Sequence, residues 1–506
     1  MQRKSAALSV LFCFFLLAIP SAGCRPTSTP LDIPASPYQG IELTIACPTK
    51  ATADLLRRSA QPWALRQGVA LTIQQRDPSN PKDEGESKAS AAADIWIIPP
   101  ADLPKWAAAG RLAAMPAAYQ ARDHALAWSD LLPAFRESLI QWQGKPYGLP
   151  VVGEAPLCCY RADLLNAAAH QAVLRKLFGR VLDGPATWEQ FAQLAEYFRD
   201  HRVEGRSHPS LPPWPASDAG LDRLFYTVAA AFARRAVPSD EARRPDREND
   251  LFSFHYDLNT GQPRLAAPGF VQALKLLQRL GKCRPKELAD NPEEAFRDDR
   301  AVLCLTDAPW VKTFQKSAAL HDKVGVCRVP GAERYFDFDK GIPHPTPDGN
   351  RVPYLGGSGW LAVVTRSSRH PEAAFDLLAD LAGPKTSTQN FLRAVGHGGP
   401  TRTAQLYPAR WDTFDLDEKQ ELHLREALKE TLLHRHLQNP VLCLRTPRQA
   451  AHRAVLVKGL RKALFEDADA EQTLRAVAEA WRKLDREQGL AEHKADYRRS
   501  LGLRAK

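Results

Sequence analysis

Beyond its first thirty residues the chain has no apolar run approaching the ~20 residues that span a bilayer, so it is not itself a polytopic channel or transporter. It also lacks a G-x-x-x-x-G-K-[ST] phosphate loop and an H-E-x-x-H motif, which excludes a P-loop ATPase and a zincin-type protease. Gly356-Gly357-Ser358-Gly359 lacks the spacing of a nucleophile elbow, and no sequence argument brings two of the many carboxylates to glycosidase separation. Nothing therefore points to an enzyme. No tract of one charge sign occurs either: 68 basic and 58 acidic residues interleave, and a formal charge of +10 over 506 residues reads as solvated surface, not as a face for nucleic acid or anionic headgroups. Methionine is scarce, at 2, and proline abundant, at 40. With 44% hydrophobic, 25% charged and 8% aromatic residues, the composition excludes wholesale disorder, collagen and coiled coil. Its length predicts two or three domains.

What is present begins with an address. Arg3 and Lys4 precede an apolar run from Ala6 to Pro20, and Ser21-Ala22-Gly23-Cys24 follows. This order predicts an export signal over residues 1–23, whose removal lowers the charge to +8. Small residues directly before a cysteine resemble the lipobox of bacterial lipoproteins, which implies lipidation of Cys24 and a membrane anchor without a spanning helix. Ser21 stands where that pattern usually has Leu, and ordinary signal cleavage is the alternative. Residues 24–39, rich in proline, read as a tether. Seven thiols remain beyond Cys24, an odd number, and with no C-x-x-C and no Cys/His set at zinc-ligand spacing nothing dictates a bridge or a metal site. Cys47, Cys304 and Cys327 fall in strand-like runs and read as small buried hydrophobes. Cys158 and Cys159, adjacent on a strand, point to opposite faces and should not pair with each other.

Strand-like and helix-like segments alternate along the chain. Ile41–Cys47, Val69–Ile73 and Asp94–Ile98 read as strands, with a helix over 51–67 and another through Leu103, Trp106 and Ala107. That alternation predicts a parallel, open α/β sheet with its ligand end at the strands' carboxyl termini. Further extended pieces are 147–152, 155–160, 300–305, 324–329 and 354–364. Thr187-Trp188-Glu189-Gln190 is a capping box opening a helix whose apolar face carries Trp188, Phe191, Leu194, Ala195 and Phe198. Residues 200–220 and 237–250 read as surface insertions. Helices are expected over 269–280, from Pro371 onward, and through most of the last hundred residues, where Leu474, Val477, Ala478, Trp481 and Leu484 form an apolar stripe. His434 and His436, on a charged segment, read as solvated.

The succession resembles the family 1 extracellular solute-binding proteins of ATP-binding-cassette importers, the maltose-binding-protein-like group. The pieces that carry it are Asp94–Ile98 with Leu103–Leu112, Gly144–Pro150 with Cys159–Leu165, Pro185–Phe191, Ala295–Val302 with Pro309-Trp310, Gly356–Trp360 with Ser368–Ala374, Gly398–Arg402, and Asp469–Leu484. Each is weak alone; their order and spacing are specific. The resemblance implies an α/β, periplasmic-binding-protein-like fold of two lobes joined by a multi-crossing hinge, with C-terminal helices. Lobe one would be 40–152 and 357–407, and lobe two 153–356 and 408–500. It further implies an exported monomer, periplasmic or at the cell surface, without cofactor or metal. Such a protein closes its cleft on a small solute, most naturally a sugar or oligosaccharide, and delivers it to permease subunits.

Sugar sites combine aromatic platforms with carboxylates, amides and guanidinium groups. By resemblance Trp310 is the stacking residue, beside Asp307, and Glu154, six positions before Tyr160, is a sugar-binding carboxylate. Gly356, Gly357 and Ser358 would let the backbone approach ligand, with Trp360 just beyond, or serve as a plain hinge. Thr49 and Arg402 complete the expected contacts. Trp214 either overhangs the cleft or packs locally. One departure stands out: Ile98-Pro99-Pro100-Ala101 follows the third strand where sugar binders of the family offer an aromatic or an acid, so the solute should be held mainly by lobe two. The competing readings are a two-lobe sensor or scaffold that no longer transports, and an exported carbohydrate-active enzyme.

Overall fold

Burial of Leu43, Ile45, Ala46 and Cys47 makes the first apolar run a core strand, as its pattern requires. The computed structural model describes residues 36–76, 93–201, 209–237, 248–338, 340–394, 398–407, 412–433 and 440–504. The leader, Cys24, most of the tether, residues 77–92, His434 and His436, and parts of both expected insertions lie outside the described residues.

Eight strands build the two largest sheets: β1 (Glu42–Cys47), β2 (Ala70–Gln75), β3 (Ile95–Ile98), β4 (Gly148–Val152), β5 (Pro156–Arg161), β6 (Leu303–Asp307), β7 (Val324–Arg328) and β8 (Trp360–Val364). The first sheet has the order β2-β1-β3-β8-β4. Strands β2, β1 and β3 are parallel, as expected, but β8 runs antiparallel to both of its neighbours. The sheet is therefore mixed and not wholly parallel. The reason is topological: β8 enters at the end by which β4 leaves, because both are joined to the second sheet there. The expected single strand 354–364 is also divided, its first part Tyr354–Leu355 pairing with Val441–Leu442 instead.

The second sheet is antiparallel throughout, in the order β6-β5-β7. Every residue of β5 is buried. Leu157 and Cys159 join the core beneath the five-stranded sheet, which extends through Trp310, Phe314 and Val324, whereas Cys158 and Tyr160 face a second core of helices. The strand's period of two thus separates the adjacent cysteines as expected. Cys158 lies opposite Cys327 and Cys159 opposite Cys304, and all seven described cysteines are free thiols.

Helices cover both sheets. Lys50–Gln67 buries Ala53, Leu56, Ala60 and Trp63 at helical spacing and ends at Gly68. Trp188–Asp200 buries the expected stripe, but only half of the box forms: Thr187 accepts from the Gln190 N–H, while Gln190 reaches the Ala186 N–H and not that of Thr187. The second core is formed by that helix, by Asp218–Ala233 and Pro268–Leu280, and by the closing helices Gln449–Phe465, Ala470–Gln488 and Leu490–Ser500. Among the described residues no helix is long and apolar enough to cross a membrane.

Candidate functional site

Where the chain passes between the two sheets, residues 152–155, 356–359 and 398–400 meet side by side. The Gly153 N–H donates to the Gly399 carbonyl at 3.2 Å. A Cβ on Gly153 would sit 2.0 Å from the Pro400 oxygen, and one on Gly399 would sit 2.3 Å from the Glu154 carbonyl carbon, so backbone contact at this junction requires glycine on both sides.

Glu154 ties these crossings together. Its side chain is buried and accepts from the Gly356 N–H, from the Ser358 N–H at 3.2 Å and from the Ser358 hydroxyl at 3.3 Å. Burial pushes its carboxyl up to about 7, against the opposing pull of the Arg223 guanidinium and the Gly356 N–H. Beside it, fully buried Asp307 accepts from Arg223 at 2.8 Å and from the N–H of the next residue, Ala155, at 3.1 Å. Glu154, Asp307, Gly357 and Ser358 are thus brought together, with Arg223 as a partner no sequence signal singled out. Arg223 arrives from helix Asp218–Ala233, 69 residues after Glu154 and 84 before Asp307, and only the packing of that helix brings it here. These polar groups bond to one another, which fits them for holding the crossings in register more than for catching a solute.

The remaining expected contacts lie elsewhere. Trp310 sits in helix Ala308–Gln315 at 5% exposure with its ring stacked on Phe314, so it is built into the core. Arg402 is fully buried, and its N–H groups go to the carbonyls of Leu126, Ala127 and Ala382 and to Asp130. The expectation of a ligand-facing guanidinium is corrected: all of its donors are engaged inside the fold. Thr49 is exposed and caps helix Lys50–Gln67, accepting from the Thr52 N–H at 3.2 Å. Trp360 is half-buried beside the crossing, opposite Val152. Trp214 packs locally, under the Arg284 guanidinium at 4.2 Å and edge-on to Phe465.

The unusual Ile98–Ala101 wall also has a structural occupant. Ala101 belongs to the second core, and the next residue, buried Asp102, accepts from Gln449 at 2.6 Å. Two cavities are prominent. One of about 360 Å³ lies among Pro156, Arg328, Arg351, Tyr354 and Glu430, and one of about 200 Å³ among Trp188, Trp214, Arg223, Glu293 and Thr306. Neither borders the five-stranded sheet.

No family model matches the chain, and no curated protein matches it by sequence. Its architecture, in contrast, matches solved structures over nearly their whole lengths. A maltose-bound MalE3 of T. maritima superposes with a TM-score of 0.62 at 17% identity, covering 88% of this chain and 100% of its own. The sugar-binding protein MalE of Xanthomonas citri gives 0.62 at 16%, covering 88% and 99%. An ABC transporter solute-binding protein from Agrobacterium radiobacter, in complex with ribitol, gives 0.60 at 17%, covering 89% and 100%. The fold of this chain is thus the two-lobe α/β fold of the MalE-like binding proteins.

Proposed function

We propose that the protein is an exported solute-binding protein of an ATP-binding-cassette importer, anchored through a lipidated Cys24, which holds a sugar or polyol and does no chemistry on it. The observation that carries this reading is the junction itself: two sheets joined by adjacent crossings, packed glycine against backbone and pinned by one buried carboxylate. Neighbours with this fold are bound to maltose or ribitol, and neutral hydroxylated solutes of that kind are the class to test first. On this reading lobe one is 40–152 and 357–407, lobe two is 153–356 and 408–500, and the monomer hands its solute to permease subunits.

A thermal-shift screen of sugars and polyols tests it. A ligand at a hundred times its dissociation constant adds ~2.7 kcal/mol to the folded state. No shift with any member of a broad panel, together with scattering that shows no compaction, would remove transport from consideration. The second reading, a two-lobe sensor or scaffold, draws on the packing of Ala101 and Asp102 against the second core and on cavities that stay within residues 156–431. Adjacent genes for polytopic permeases favour import, whereas an adjacent histidine kinase gene favours sensing.

A further inference from the structure

The closing helices bury three side chains that ordinarily seek water. His452 on Gln449–Phe465, Asp485 on Ala470–Gln488 and His493 on Leu490–Ser500 are each at most 1% exposed. Gly489, at φ +99° with open space around its Cα, turns the chain between the last two helices so that Asp485 and His493 face the same point. Tyr256 and Trp481 stack at 5.4 Å to form one wall, and Tyr256 and Tyr497 close the rest.

The hydrogen bonds leave this cluster incomplete. His452 Nδ1 lies 3.1 Å from the Arg448 carbonyl, which can only accept, so the proton of a neutral ring is on Nδ1 and the Nε2 lone pair points at Asp485 Oδ1, 2.8 Å away. Two lone pairs face one another unless a positive charge lies between them or on the ring. The Tyr256 hydroxyl donates to the same Oδ1 at 3.3 Å. Among the described residues Asp485 Oδ2 has no hydrogen-bond partner, nor does either nitrogen of His493, although His493 Nδ1 is 3.3 Å from Asp485 Oδ1. Leaving such groups unsatisfied in an apolar interior is destabilising. A protonated His452 would settle only the first pair and leave His493 without a partner.

We propose that His452, Asp485 and His493 bind one divalent transition-metal ion, with zinc the best match to two imidazoles and a carboxylate. One candidate ligand atom from each residue lies within 4.8 Å of the other two. Around a tetrahedral zinc, bond lengths of ~2.0–2.2 Å place donor atoms about 3.3–3.5 Å apart, so the 2.8 and 3.3 Å separations need only small adjustments. The Arg448 carbonyl then acts as the supporting acceptor that orients a metal-binding histidine. The ion would cross-link all three closing helices. No local motif announces the site, because Asp485 and His493 are eight positions apart and His452 lies on another helix.

The test uses the mature chain without a polyhistidine tag. The purified protein should retain about one equivalent of zinc. After chelation it should take up cobalt(II) with the visible absorption of a tetrahedral site, and zinc should raise its melting temperature. In His493→Gln the affinity for zinc should fall by more than the ~10–100-fold lost with a supporting group. A wild-type chain that holds no zinc and gives no cobalt spectrum overturns the proposal. So does an equal zinc-induced shift in the wild type and in His493→Gln. Should that variant fail to fold, X-ray absorption of the zinc-loaded wild type decides, since a first shell lacking two imidazoles refutes the assignment.

Discussion

Replacing Glu154 by glutamine probes the junction through pH. The carboxyl ionises at 4.5 in a solvated chain and at about 7 in the fold, with burial the leading cause. Because the folded value is the higher one, the contribution is fully present below pH 4.5, where both states are protonated. It is lost as pH rises towards 7, since the unfolded chain ionises freely and the folded one cannot. The gap of about 2.5 units corresponds to about 3 kcal/mol. Glutamine keeps the shape and cannot ionise, so whatever constant offset the exchange brings, the stability difference between variant and wild type should move by about 3 kcal/mol in the variant's favour between about pH 4.5 and about pH 8. Urea titrations followed by tryptophan fluorescence at several pH values measure that movement. A difference that stays constant within ~0.5 kcal/mol refutes the reasoning. Movement in the opposite sense would mean that the donors from Gly356 and Ser358 outweigh burial and hold the carboxylate charged.

Two further substitutions separate packing from ligand contact. Trp310→Ala should cost ~3–5 kcal/mol in urea denaturation, because it removes a ring buried against Phe314; a loss under ~1 kcal/mol would place that ring outside the core. Arg402→Lys cannot reproduce a fork shared among three carbonyls and Asp130 and should destabilise by at least ~2–3 kcal/mol, whereas unchanged stability with weakened solute binding would restore it as a ligand contact.

Local pattern carried the strands well: β1, β3 and β4, the Pro371–Ala382 helix and the stripe on Trp188–Asp200 follow from the spacing of apolar residues. Strand direction did not, since whether β8 runs with or against β3 depends on which end of the sheet the chain re-enters. The site was legible only in part. Glu154, Asp307, Gly357 and Ser358 were marked by resemblance and do converge, but their partner Arg223 lies on a distant helix that nothing local connects to them. Trp310 and Arg402 show the limit from the other side, for residue type and position say nothing of how deeply neighbours such as Phe314 or the Ala382 carbonyl enclose a side chain. On the last long helix the stripe predicts Leu484 as its end, yet Leu484 is half-buried and Asp485 is buried, because His452 and His493 occupy the space facing it.

Contacts between the surroundings of the two sheets constrain any closing motion. Gln449 donates to Asp102, Arg445 donates to the carbonyls of Leu139 and Gln141, and Lys312 donates to that of Leu392. Hydrogen bonds to charged groups are worth ~1.5–3 kcal/mol each, so these four represent roughly 6–12 kcal/mol. A micromolar solute supplies ~8 kcal/mol in total. If opening broke all four, the chain would stay shut without solute, and binding would have nothing left to switch. A working clamp must therefore keep most of these contacts through its motion.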